Sequence, residues 1–306
     1  MEDHGREAIL NDRSKGSQPM AITLRNYESP EDLQLQRTFC VQATRELPWC
    51  WKPTVSPALY SKSPQFDARS RCFAFEGERL VGYASFTGHG DFVSLGYPWV
   101  LPGYEGELQE QLYEKVYSFA ASPEYGGRTF AQRFRKQWTA QIAFFERHGF
   151  AVESTDPIYA LDVRAASIKN LESEYEVTCQ PEFCWDDFHA LSGTRLSAEQ
   201  LSMWKQYFQS VDFDLSVKAT LQDKMMAYLG FAVREDTGFA ELIAVAKEPG
   251  ARGVLPSCLV SAISQLRLRN ARFLGAKATP ANGMEEVLAQ TGFEKVSEEI
   301  LLSRSI

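Results

Sequence analysis

Two glycine-bearing turns are the first places in this chain where residue type and spacing allow chemistry. One is Val100-Leu101-Pro102-Gly103-Tyr104-Glu105-Gly106-Glu107-Leu108. The other is Val245-Ala246-Lys247-Glu248-Pro249-Gly250-Ala251-Arg252-Gly253-Val254-Leu255. Each leads from a strand-like run into a helical pattern. A helix start presents unpaired N–H groups and a partial positive charge, which together hold an anion, and glycine lets the backbone come close to it. The turns differ in charge. Glu105 and Glu107 flank Gly106, and two carboxylates repel an anion, whereas Arg252 precedes Gly253. The plainer readings are a glycine-rich turn at 249–253 and acids that favour a helix start at 105–107.

Other constellations are weaker. The histidines, His4, His89, His148 and His189, are too scattered for a metal set, and none of the six cysteines forms a CxxC pair. No metal site is expected, and the cysteines read as free thiols of a reducing cytosol. No GxSxG elbow, Walker loop or HExxH occurs. Arg133, Arg135 and Lys136 form a basic cluster that reads as a solvated face.

The elements that must position these turns follow from length and pattern. The chain has 306 residues, 44% hydrophobic and 24% charged, enough for two cores. A net charge of −8 argues against a nucleic-acid surface. No apolar run is long enough to span a bilayer, and residues 1–19 lack the apolar core of a signal peptide. They read as a disordered leader, or Met20 is the true start. A cytoplasmic protein is expected, and a homo-oligomer is compatible with the sequence.

Strands are predicted at 22–25, 72–75, 80–86, 92–100 and 159–163, with helices through 31–43, 108–119 and 140–146. The pattern then restarts: strands at 175–179, 225–232, 241–246, 273–278 and 300–302, helices around 184–191, 198–208, 259–263 and 285–290. The segment 48–66, with Trp49, Trp51 and Tyr60 among several prolines, reads as a connection pinned to the core or as the lining of a cleft. Three landmarks recur in one order at nearly one offset: Gly82-Tyr83 with Gly230-Phe231, Gly106 with Gly253, and Gly149-Phe150 with Gly292-Phe293. That supports a duplication, with halves 20–165 and 166–306.

At these turns, and at Phe145-Glu146-Arg147-His148-Gly149-Phe150 and Leu288-Ala289-Gln290-Thr291-Gly292-Phe293, the sequence resembles the GNAT superfamily of acyl-CoA N-acyltransferases in its tandem form. The likeness runs over nearly all of 20–306. It implies two α/β (α+β) domains, each a mixed, mostly antiparallel sheet flanked by helices and splayed to admit a pantetheine arm. It also implies acetyl-CoA or another acyl-CoA as cosubstrate and a small amine as acceptor, with no nucleic acid or membrane partner. The second half is the expected cofactor site, through Val245, Ala246, Arg252, Gly253, Val254 and Asn282. The backbone near Val245 and Ala246 would polarise the thioester, and Glu241 would act as base or lie as a surface carboxylate. The basic cluster at 133–136 would at most meet a cofactor phosphate. The first half is expected to be degenerate, its turn burdened by Glu105, Glu107 and the bulk of Leu108.

The family's usual acid, a tyrosine, is replaced by Phe145 and Leu288. Tyr228 or Cys258 could substitute, although both suit a core, and so could water. The rival reading is a non-catalytic binding or scaffold protein made of two decayed copies.

Overall fold

The computed structural model describes residues 21–50, 56–89, 91–166, 173–192, 196–234, 237–251, 253–279 and 283–306. The leader expected at 1–19, and Trp51 and Pro53 of the aromatic connection, lie outside them.

The chain opens with β1 (Ile22–Asn26), α1 (Glu31–Thr44) and a single turn, α2 (Pro57–Tyr60). A meander follows: β2 (Arg71–Glu76), β3 (Arg79–His89), β4 (Phe92–Leu95) and β5 (Trp99–Val100). Next come α3 (Glu107–Ala120), β6 (Thr129–Arg135), α4 (Thr139–Arg147) and the long β7 (Ala151–Asp162). The order then repeats as β8 (Glu176–Gln180), α5 (Trp185–Ser192), α6 (Ala198–Gln209), β9 (Leu215–Leu221), β10 (Lys224–Arg234) and β11 (Phe239–Lys247). It closes with α7 (Val254–Leu268), β12 (Phe273–Lys277), α8 (Met284–Gln290) and β13 (Glu294–Ser305).

All strands join one sheet in the order β1-β2-β3-β4-β6-β13-β7-β12-β11-β10-β9-β8, with β5 paired to β3. Its centre is an exchange. The last strand of the second half, β13, lies between β6 and β7, and β7 in turn pairs with β12. Leu302 of β13 is buried in the first half's core among Phe130, Phe145 and Phe150. Tyr159 and Leu161 of β7 are buried in the second half's core beside Leu274 and Phe293.

Several expectations are corrected. The strand expected over 92–100 is broken at Gly96-Tyr97-Pro98, because Pro98 has no N–H for a ladder. The closing strands expected at 159–163 and 300–302 run instead from 151 and from 294. Ladder pairing between the two strands supports their polar ends. The basic cluster is not a solvated face throughout: Arg135 is 6% exposed and ends the central strand β6. One landmark also fails. With Gly106 set on Gly253, Leu95 falls on Leu242 and Val100 on Lys247. Their ladder partners Phe86 and Gly82 then fall on Phe231 and Ala227. Gly82 therefore corresponds to Ala227, not Gly230. The two glycines make room for different neighbours, Gly82 for Leu112 of α3 and Gly230 for the rings of Phe183 and Phe213.

Candidate functional site

The site is built where β11 and β12 part. These strands run parallel and pair only from Phe239–Phe273 to Leu242–Ala276. Just past that point β11 bulges: Phe231 faces Leu242 while Gly230 faces Ala244, which leaves Ile243 as the extra residue. A bulge breaks the ladder locally and redirects the backbone. From there Val245 and Ala246 continue along β10 with no pairing to β12 among the described residues. The first half repeats this plan, with β4 pairing β6 only through Ser94 and an extra residue opposite Ser85 at Gly96.

Beyond β11, the turn reaches α7 through Gly250 (φ 80°) and Gly253 (φ 71°), a conformation that costs glycine little. A Cβ at either position would meet nothing within 4 Å. The turn thus faces open space at the start of a 15-residue helix. Val254 and Leu255 turn their side chains into the core, so only their backbone can meet a ligand. Arg252 and Asn282 lie outside the described residues.

The first half's turn is internally occupied. The Gly103 amide donates to the Glu105 carboxylate at 2.7 Å, and the Gly106 amide donates to Gln109 Oε1 at 3.2 Å. Pro256 stands where Gln109 would be and has no side chain able to do the same. Leu108 is buried in the core, so its bulk points inward and not onto the turn, contrary to expectation. The same register sets Tyr97, Trp99 and Phe134 on Ala244, Ala246 and Ala278. Tyr97 spans the parting strands: its ring lies 6.5 Å from Phe134 on β6 and 5.3 Å from Phe144 on α4. The second half carries small residues at these positions, and Ala244 and Ala246 are buried in a cluster with Phe188, Leu191 and Phe208 of α5 and α6.

Glu241 is the third residue of β11, opposite Gly275 and two residues before the bulge. Its side chain is 17% exposed, so it is not the surface carboxylate that sequence alone allowed. The charges around it come from β6, β13 and β12. Arg135 Nη2 of β6 lies 3.7 Å from Glu241 Oε1, while Nη1 contacts Glu299 Oε2 of β13 at 2.5 Å. Lys277 Nζ of β12 lies 3.0 Å from Glu299 and 3.6 Å from Asp156 of β7. Burial pushes the Glu241 carboxyl up to about 7 against the pull of Arg135; the Glu299 charge adds to the push and Lys277 opposes it. Burial also acts on Glu299, but Arg135, Lys277 and Arg133 outweigh it and hold that carboxyl below its usual range. The pair therefore contains one fixed carboxylate and one poised near neutrality. Ser94 takes the position of Glu241 in the first half, and its hydroxyl is not a comparable base.

The 44–50 segment of the first half covers this cluster. Trp49 packs edge-on against Phe239 and Phe273 and its carbonyl accepts from Arg135 Nε at 3.3 Å. Arg234 donates to Thr44, to Cys50 Sγ and to the Val41 carbonyl.

Over 93% of its length the chain superimposes on 98% of a tandem GNAT protein from the clavulanic acid biosynthesis pathway, with a TM-score of 0.70 at 14% identity. The chain has the tandem GNAT fold. The same fold relates it to a GCN5-related N-acetyltransferase from Sphaerobacter thermophilus, with 93% and 95% of the two chains covered, TM-score 0.61 and 14% identity. A third similar structure is N-myristoyltransferase of Saccharomyces cerevisiae, with 98% and 85% covered, TM-score 0.59 and 10% identity. No protein-family model and no curated protein matches the sequence.

Phe145 and Leu288, which stand where the sequence resemblance implies a tyrosine, are both fully buried. The suggested substitutes are core residues. Tyr228 turns its hydroxyl to the Cys184 amide at 2.7 Å, and burial pushes the Cys258 thiol up to about 12. Sequence reasoning missed Arg135 as a site residue, and with it Glu299, Lys277 and the bulge at Ile243. The alternation of Phe130 and Phe134 with charged neighbours in Thr129–Arg135 was the available signal for the strand. Among the described residues no group of His, Cys, Asp and Glu is placed to hold a metal, and no helix is long and apolar enough to cross a membrane.

Proposed function

We propose that the second half, taken as residues 166–306, carries an acyl-CoA-dependent N-acyltransferase site, with acetyl-CoA as the expected donor and a small amine as acceptor. The first half, residues 20–165, serves as its structural partner. One observation carries this reading. Parting strands, a bulge and a glycine turn recur in both halves, and only the second joins them to a carboxylate poised near pH 7, Glu241. The other half has Ser94, Pro98 and a ring-filled gap at the matching positions.

In this reading the donor's diphosphate rests on the backbone amides at Gly253 and Val254, with Arg252 and Asn282 beside it. Backbone N–H groups near Val245 and Ala246 polarise the thioester carbonyl. Glu241 takes a proton from the acceptor ammonium, directly or through water. The freed amine attacks the carbonyl carbon, the C–S bond breaks, and the proton shed by the acylated nitrogen passes through water to the departing thiolate.

The burial of Leu288 at the family's acid position favours a second reading, a non-catalytic module. A thermal melt with acetyl-CoA separates the two. A ligand at 100 times its Kd stabilises the native state by about 2.7 kcal/mol, which should raise Tm measurably. A flat Tm up to millimolar acetyl-CoA would remove the enzymatic reading, and thiol release across a panel of amines would identify the acceptor.

A further inference from the structure

The guanidinium of Arg135 meets three different elements. Nη1 contacts Glu299 of β13, Nη2 lies near Glu241 of β11, and Nε donates to the Trp49 carbonyl of the segment after α1. Arg135 itself ends β6, a strand of the first half. Its register counterpart in the second half is Thr279, which has no charge to offer. From this geometry we infer that Arg135 is a positioning residue supplied by the first half to the second half's site, fixing the Glu241 carboxylate under the 44–50 segment.

The distances explain why such a residue orients Glu241 without quenching it. The tight contact, 2.5 Å, goes to Glu299, which also takes Lys277 at 3.0 Å. Glu241 receives the looser contact at 3.7 Å. Glu299 thus occupies most of the local positive charge, and Glu241 is steadied while keeping the capacity to accept a proton. The charged and titratable groups around Glu241 are Arg135 from β6, Glu299 from β13, Lys277 from β12 and Cys50 from the covering segment. The inference rests on the acyl-transfer reading for the purpose of the site, but its test does not.

The test is a carbon-13 NMR titration of the glutamate carboxyls in the full chain, with the Glu241 signal assigned by its loss in Glu241→Gln. The Glu241 midpoint should lie near 7 in the native chain. It should rise by about one to three units in Arg135→Gln and return most of the way in Arg135→Lys. An unchanged midpoint in Arg135→Gln would overturn the inference. If Arg135→Gln fails to fold, because Glu299 loses its main partner, the same step is measured between Glu299→Gln and Glu299→Gln/Arg135→Gln. A rise supports the role and no rise ends it. Acetyl-CoA binding is followed in parallel by calorimetry. Its absence in the native chain would defeat the acyl-transfer reading, while the titration would still decide the role of Arg135.

Discussion

Glu299 and Asp156 stand directly opposite each other across the ladder of the two exchanged strands. Like charges so placed repel, and the fold compensates from both sides. Lys277 of β12 reaches both carboxylates, and Arg133 of β6 lies 3.4 Å from Glu299. Arg133 and Lys277 occupy matching register positions in the two halves, so the ionic row shares the symmetry of the duplication. Arg135 breaks that symmetry by also reaching Glu241, and the chemistry falls on one side.

The first prediction concerns pH. The folded-state pKa of Glu241 lies near 7, above the ordinary carboxylate value. Its favourable contribution is complete below the unfolded value and is lost as pH rises through about 7. Glu241→Gln cannot ionise, so it should melt above the native chain at pH 8, by about 1–3 kcal/mol, and the gap should close at pH 4. The same variant should lose most amine-dependent thiol release. Equal melting at both pH values would refute the poised state.

A second prediction compares the two turns. Gly253 and Gly106 both have positive φ and open surroundings, so a glutamate at either costs similar strain. Gly253→Glu should abolish the acetyl-CoA shift in Tm, whereas Gly106→Glu should leave it intact. The reverse pattern would move the site to the first half.

The small residues at the diverging edge of β11 give a third. Ala246→Trp installs the first half's Trp99 at the diverging edge of β11. Overpacking should cost about 1–3 kcal/mol, and the response to acetyl-CoA should vanish in a melt followed at constant ligand. A retained response would show that the gap between β11 and β12 is not used.

A fourth tests the exchange. Leu302 is fully buried in the first half's core although it belongs to the second half's last strand. Leu302→Ala should cost about 2–5 kcal/mol, and denaturant unfolding should remain one transition for both halves. Two separated transitions would argue against shared cores.

Much of the fold was legible because its signals are local. Helix starts at Ser29-Pro30 and Gly253, the Gly149-Phe150 and Gly292-Phe293 closures, and the alternation in β10 and β11 can all be read within a dozen residues. The strand exchange could not be read this way, since the partners of β13 lie more than a hundred residues earlier and register is set by tertiary packing. For the same reason the sequence offers Glu241 as a base but not the surroundings that set its pKa. What raises its pKa, and the arginine that steadies it, arrive from strands distant in the chain. Gly82 and Gly230 misled because a strand glycine records only what packs against it.

The interleaving of β13 between β6 and β7 also sets a schedule for synthesis. Until residues 294–305 leave the ribosome, β6 and the far side of β7 have no neighbour between them. Before that the nascent first half keeps two sheet edges exposed that the finished fold conceals. A chaperone that shields such edges would be needed until residues 294–305 are made, and chains truncated before them should be the ones that clump.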